Sequence, residues 1–346
     1  MANHYKTHMK LASKVDALYQ ATAFWEAGVP LIEKDLENDG YRKFRRWPHS
    51  LGFFVPTYGA PGNSLSVSLI RELSNWCKSS ELTKKQTSFL IKWAQGETLA
   101  NHDFRVLKSA VMVSKNEFLL KFSESAIGEP IEQFEIAGNY HSRSSLNYLM
   151  GLACLGKFVE LRTLTRIVEL GGGYGTLGEI VYQLWPSNAT YLNFDIPPIC
   201  NVSEFYLNSL TQDFYGLDDL LSMEKISMDR LKKINVAPNW KIEDITGPID
   251  LFVNMISFQE MEKNVVENYC RKIICLNPRF ILLRHIREGK QKKTSSEPIG
   301  VISPTTSHIY DPLLNGYELL HRDSSPFGFD TPDGFHSDVL VFERRG

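Results

Sequence analysis

The rhythm of hydrophobic and polar positions changes near residue 160. Before it, apolar residues recur every three or four positions, the period of an amphipathic helix. Leu18, Ala21, Phe24 and Trp25 place one or two helices within residues 12–38. Leu69, Ile70, Leu73 and Trp76 form a stripe within residues 64–96, where residues 82–93 predict a second helix capped near Ser80 or Thr83. Residues 104–113 predict another helix, and residues 144–158 a strongly apolar one. Residues 40–63 break this rhythm with arginine, aromatics, proline and glycine, the chemistry of loops and short strands.

After residue 164 short apolar runs alternate with helical stretches. Residues 166–170, 190–195, 239–242, 249–254 and 279–286 read as strands, with helices over 176–184, after 205 and over 260–275. Such alternation predicts a parallel sheet covered by helices on both faces. Residues 317–323 and 337–344 are two further strands with only a loop between them, which favours an antiparallel return. The expected fold is therefore α/β: a Rossmann-like sheet ending in an antiparallel strand pair, plus a mainly helical N-terminal domain. The boundary falls near residue 160, giving domains 1–160 and 161–346.

Composition narrows the function classes. A net charge of -2 supplies no global field for nucleic acid or an anionic membrane. The longest apolar stretch, near 146–159, is too short and too interrupted to span a bilayer. The first 18 residues are rich in Lys and His and lack a signal-peptide core. The five cysteines include no C-x-x-C pair, so a structural zinc site built on cysteines is not expected; reduced thiols suit a cytoplasmic protein. The acidic pairs Asp218-Asp219 and Glu243-Asp244 make no recognisable metal constellation, and no metal is predicted.

Chemistry concentrates in "VELGGGYGTLGE", residues 168–179. Its glycines fit the dinucleotide pattern G-x-G-x-x-G and also a tighter E-x-G-x-G-x-G. In the first pattern a pyrophosphate sits on the helix N-terminus. Glu169, at the strand end, would be poorly placed beside that anion. It suits instead the cationic part of S-adenosylmethionine, approached closely over Gly171, Gly173 and Gly175. Asp195 ends the second strand about 20 residues on, where an acid binds ribose hydroxyls in either reading. The terminal antiparallel pair favours the methyltransferase side.

"VELGGGYGTLGEIVYQL", "YLNFDIPP" and "DLFVNMISFQEM" resemble the signature segments of the sugar O-methyltransferases, S-adenosylmethionine-dependent enzymes of bacterial polysaccharide and natural-product clusters. The resemblance runs from about Gly128 to Pro278 and is weaker toward the N-terminus, where "GYRKFRRW" is similar to an F-x-x-F-R-like segment. Glu129 in "GEP" departs from the family's G-N-P. The resemblance implies methyl transfer from S-adenosylmethionine to a sugar or glycan hydroxyl.

Around the loop, Tyr174, Ile196, Asn254, Ser257, Trp240 and Arg143 complete the expected cofactor contacts, Arg143 as a clamp on the methionine carboxylate and Trp240 against adenine. A hydroxyl acceptor needs a base, and His285, His141 and Glu260 are the candidates. "YRKFRRWPHS", residues 41–50, interleaves basic and aromatic residues and suits an acidic or phosphorylated glycan. Self-association is left open. The competing readings are an NAD(P)-dependent oxidoreductase and a non-catalytic nucleoside-binding protein.

Overall fold

The computed structural model describes residues 4–59, 65–325 and 336–346. Eight strands form the main sheet, numbered in chain order: β1 Arg166–Leu170, β2 Thr190–Asp195, β3 Phe214–Tyr215, β4 Ile234–Pro238, β5 Leu251–Met255, β6 Phe280–Ile286, β7 Tyr317–Ser325 and β8 Ser337–Arg344. Their spatial order is β7-β8-β6-β5-β1-β2-β4-β3. β8 inserts between β6 and β7 and runs antiparallel to both; the other described pairings in this sheet are parallel. The expected Rossmann-like sheet with an antiparallel terminal pair is thus present. Its third long parallel strand is β4; residues 239–242, expected as a strand, lie in the 3₁₀ turn Asn239–Asp244 that follows it.

β1 passes to β2 on one side while β5 pairs with β1 on the other, so the strand order reverses between β1 and β5. The crevice outside the carboxyl ends of these strands is where open α/β sheets bind ligands.

Nine longer helices are numbered α1 His4–Ala12, α2 Ala23–Asp39, α3 Val67–Ser79, α4 Lys84–Ala94, α5 Glu97–Ser114, α6 Arg143–Leu155, α7 Thr176–Leu184, α8 Ile199–Asn208 and α9 Lys263–Leu276. The predicted caps are real in two places: Thr83 and Ser142 each close a capping box at the start of α4 and α6. On α3 the predicted stripe splits. Ile70 is buried, while Leu69 and Trp76 are about half exposed because the α3–α4 pair lies on the outside.

Side chains alternate between the two faces of each strand. Ile167, Tyr191, Val253 and Leu282 face α6, α7 and α8, in a core continuous with Ile32, Phe104 and Leu107 of the N-terminal helices. Val168, Leu192, Phe252 and Leu283 face α9 and Tyr310. The first of these cores crosses residue 160. All five cysteines are free and only Cys275 is exposed. Among the described residues no helix is long and apolar enough to cross a membrane.

Residues 40–63 contain no described strand. Tyr41–Arg46 is a 3₁₀ stretch and Leu51–Phe54 a short helix. The basic–aromatic segment divides, with Arg42, Lys43, Arg46 and His49 exposed and its aromatics turned into the core. Phe44, Arg45 and Trp47 are fully buried, and Tyr41 stacks on Phe205. Asp35 of α2 accepts from the His49 and Ser50 N–H groups at 3.0 and 2.7 Å and clamps the turn inward. Arg42 and Arg46 pair with Glu129.

Candidate functional site

The glycine loop leaves β1 at the point where the strand order reverses. Gly171 has φ +70°, and a Cβ there would collide with the Ser257 side chain, so the loop and the turn after β5 touch. Gly173 has φ +58°, but a Cβ there would meet nothing within 4 Å. That residue faces open space, the side from which a ligand can approach.

The loop is fixed from below. Asn193 accepts from the Gly172 N–H at 3.2 Å, and Asp195 from the Gly173 N–H at 2.9 Å. Asp195 also accepts from the Ile196 N–H at 2.8 Å. Asn254 donates to the Leu170 carbonyl at 2.8 Å and accepts from the Phe258 N–H at 2.9 Å. Asn254 therefore ties β5 to β1 and to the turn that follows β5. Between β5 and the turn, Ile256 holds φ +67°, a conformation that costs a branched residue energy and recurs at functional sites.

Glu169 is fully buried beneath the loop, on the α6 face of the sheet. It accepts from the Tyr148 hydroxyl at 2.9 Å and from the Tyr191 hydroxyl. Burial raises its pKa to about 7, against the lowering effect of the two phenols. Glu169, expected to face the cationic part of the ligand, is an anchor beneath the loop, held by Tyr148 and Tyr191. Burial likewise raises Asp195 to about 7, and the negative charges of Glu169 and Glu260 add to the rise. Glu260 is buried in the turn after β5, raised by burial, and ion-paired to Lys290 at 3.1 Å. Its carbonyl accepts from the Thr22 hydroxyl at 2.8 Å, so the N-terminal segment borders this edge. Three buried carboxyl groups thus converge on the switch point.

Of three further expected contacts, Tyr174 turns away from the open face of the loop, while Arg143 and Trp240 stand at the start of α6 and in the turn after β4. Tyr174 turns its ring into the core and donates to Glu124 at 3.1 Å. Arg143 stands at the first turn of α6, where its Nε donates to Asp103 at 2.9 Å. Trp240 is half-buried in the turn after β4, against the α9-side core. Its neighbour Asn239 donates to the Tyr19 carbonyl and to the Tyr269 hydroxyl, both at 2.8 Å.

Two of the three candidate bases are also displaced. His285 follows Arg284 on β6, so the two project to opposite faces. Arg284 is on the α6 side, within electrostatic reach of Tyr148, Arg143 and Asp103. His285 is on the α9 side, with Nδ1 against the Tyr310 hydroxyl and Nε2 against the Thr305 carbonyl, both at 2.9 Å. Burial lowers its pKa to about 4. Both nitrogens are engaged below the sheet, which removes it as a base. His141 is buried between Phe104 and Phe122, also lowered to about 4 by burial, and is a weak base in an apolar cage.

A group that periodicity does not reveal is better placed. Glu132 is fully buried at the start of α6. Its Oε1 accepts from the Arg143 N–H at 2.7 Å and the Thr57 hydroxyl at 2.8 Å. Its Oε2 has no hydrogen-bond partner among the described residues. Burial raises its pKa to about 7, against the lowering by Thr57 and Arg143. Glu132 caps the first N–H of the helix that carries Tyr148 to Glu169.

No protein-family model matches the chain, and no curated protein sequence matches it. Among solved structures it is similar to mitomycin 7-O-methyltransferase MmcR, at 13% identity over 58% of each chain and a TM-score of 0.37. It is also similar to magnesium protoporphyrin IX methyltransferase (ChlM) from Synechocystis PCC 6803 with bound SAH, at 10% identity, 59% of this chain, 83% of that one and a TM-score of 0.38. A third is TehB from Haemophilus influenzae, at 13% identity over 52% and 57% of the two chains and a TM-score of 0.33. The chain spans less than two thirds of the length of the mitomycin enzyme and of TehB.

Proposed function

We propose that the chain is an S-adenosylmethionine-dependent O-methyltransferase. The observation that carries this reading is the convergence of Glu169, Asp195 and Glu260 on the switch point. Buried carboxyl groups of raised pKa oppose the approach of a pyrophosphate, whereas a nearby sulfonium or ammonium draws them into the ionised form. The strand order with β8 inserted antiparallel supports the same side of the choice. Residues 161–346 hold the cofactor in this reading. Asp195 accepts from the ribose hydroxyls, Gly173 offers the close backbone approach, and Ser257 and Ile196 flank it; Gly175, expected beside it, is a glycine because a Cβ would meet Leu207. When bound, S-adenosylmethionine supplies an electrophilic methyl group. The acceptor approaches from the side of residues 1–160; a sugar hydroxyl is proposed for it on the resemblance of the three sequence segments quoted above.

The test is calorimetric titration with S-adenosylhomocysteine, NAD(H) and NADP(H) at pH 6 and pH 8. A ribose hydroxyl donates to the ionised carboxylate, so binding favours ionised Asp195. With its pKa at about 7, affinity for S-adenosylhomocysteine rises from pH 6 to pH 8. Stability of the ligand-free protein moves the other way. A carboxyl raised in the folded state binds more protons there than when unfolded, so its stability contribution is lost as pH rises through about 7. Asp195→Ala weakens binding by roughly 10–100-fold, the worth of a hydrogen bond to a charged group, and flattens the pH dependence. Tighter binding of a nicotinamide cofactor than of S-adenosylhomocysteine would overturn the reading.

Glu132 is the proposed proton acceptor. Its free Oε2 takes the acceptor hydroxyl's proton, and Arg143 and Thr57 hold the other oxygen in place. A base near pH 7 is well matched to this task. Glu132→Gln is expected to keep S-adenosylhomocysteine affinity within about twofold and to lower kcat by roughly 100-fold or more on the best sugar of an acceptor panel. Unchanged kcat in that variant assigns the proton to another group.

A further inference from the structure

At the far side of α8 from the sheet, α1 brings two histidines against an acid. His4 and His8 are four residues apart and therefore share one face of α1. Asp218, in the short helix Leu217–Ser222, reaches both: its Oδ2 lies 3.1 Å from His4 Nε2 and its Oδ1 3.2 Å from His8 Nε2. The three ligand atoms all lie within 4.8 Å of one another. From this geometry we infer that His4, His8 and Asp218 form a binding site for a divalent transition metal of the zinc type, which clips α1 to the wall of the α/β domain.

The spacing supports coordination. Zinc takes nitrogen and oxygen ligands at about 2.0–2.1 Å in a tetrahedron, so neighbouring ligand atoms lie roughly 3.3 Å apart. Each imidazole Nε2 lies near that edge length from one Asp218 oxygen, His4 from Oδ2 and His8 from Oδ1, and a modest side-chain rotation draws the three ligand atoms onto one ion. Two imidazoles with one carboxylate select zinc, cobalt or nickel over magnesium and calcium, which prefer all-oxygen shells. A fourth position stays open to water.

A supporting group is present as well. His8 is buried, and its Nδ1 lies 2.8 Å from the Asn201 side-chain amide of α8. A metal on Nε2 requires a proton on Nδ1, which needs an acceptor. As placed, the Asn201 Nδ2 donates to Nδ1; metal binding at Nε2 turns the Asn201 amide over so that its Oδ1 accepts from the Nδ1–H. Glu204, one turn further along α8, adds negative charge beside the histidines while accepting from the Leu217 N–H at 2.8 Å. No metal constellation was visible around Asp218-Asp219 in the sequence because the two histidines lie more than 200 residues away.

The experiment uses the full chain without a polyhistidine tag, stripped with chelator and titrated with Zn²⁺ and with Co²⁺. Expected are one equivalent bound, the visible absorption of tetrahedrally coordinated Co²⁺, and a rise in Tm with Zn²⁺. His4→Ala and Asp218→Asn alter half-exposed and exposed side chains, so folding is retained and affinity falls by at least about 30-fold. His8→Ala removes a buried ring; its circular dichroism is compared with the other two before its affinity is read. No binding by the wild type at 100-fold excess of metal over protein, on the order of mass-action saturation, overturns the site. So does binding that the His4 and Asp218 variants leave unchanged. Loss of this site would leave S-adenosylhomocysteine binding intact, so the two tests fail separately.

Discussion

Gly171→Ala and Gly173→Ala are expected to fail in different ways. Both residues have positive φ, where an L side chain costs about 1–2 kcal/mol. At Gly171 the added methyl also drives into Ser257, and overpacking of that kind adds about 1–3 kcal/mol. Gly171→Ala should therefore lose about 3 kcal/mol and some 6–12 °C of Tm, with ligand binding lost as the loop shifts. At Gly173 the methyl has room in the protein but occupies the open face of the loop. Gly173→Ala should melt within a few degrees of the wild type yet bind S-adenosylhomocysteine about 100-fold more weakly, the effect of a misplacement on the order of 1 Å. Thermal melts and calorimetry on the two variants measure both effects. Equal loss of binding and stability in both would mean that the open face at Gly173 is not where the ligand lies.

The second large effect is expected at Arg45. It is fully buried and ion-paired with buried Glu124 at 2.7 Å. Glu124 also accepts from the Ser142 N–H at 2.6 Å, the Ser142 hydroxyl at 3.0 Å and the Tyr174 hydroxyl at 3.1 Å. The Arg45 guanidinium lies over the Tyr174 ring, 5.3 Å from its centroid, and donates to the Ser125 carbonyl at 3.1 Å. This network joins the turn after α2, the start of α6 and the glycine loop. Arg45→Met leaves a carboxylate buried without its counter-charge, which costs about 3–5 kcal/mol. Tm should fall by about 10 °C, and ligand affinity should fall with it because Tyr174 belongs to the loop. Adding Glu124→Gln removes the orphaned charge and should recover more than half of the lost Tm. If the double variant melts no higher than Arg45→Met, the loss comes from packing around the guanidinium rather than from charge.

What the sequence made legible follows from range. β1, β2, β5 and β6 are buried on both faces, so they read as near-continuous apolar runs. The glycine loop and Asp195 are local motifs with fixed spacing. β4 was harder: Pro238 ends it and two lysines precede it, so the neighbouring "NWKI" drew the assignment instead. Arg45–Glu124 and Thr57–Glu132 join positions 79 and 75 residues apart, and no periodicity encodes such pairs. The fate of His285 was readable in principle. Its neighbour Arg284 pairs in register with Met255, and alternation puts only one of the two adjacent side chains on the α6 side.

The apolar core that runs from Ile32, Phe104 and Leu107 through α6 to Ile167 and Val341 also bears on engineering. A chimera that grafts residues 1–160 of this chain onto another methyltransferase-like sheet would cut through that core and leave unmatched surfaces on both pieces. Changes around Thr57 are better made in place, with Glu132 and the sheet-facing side of α6 kept as they are.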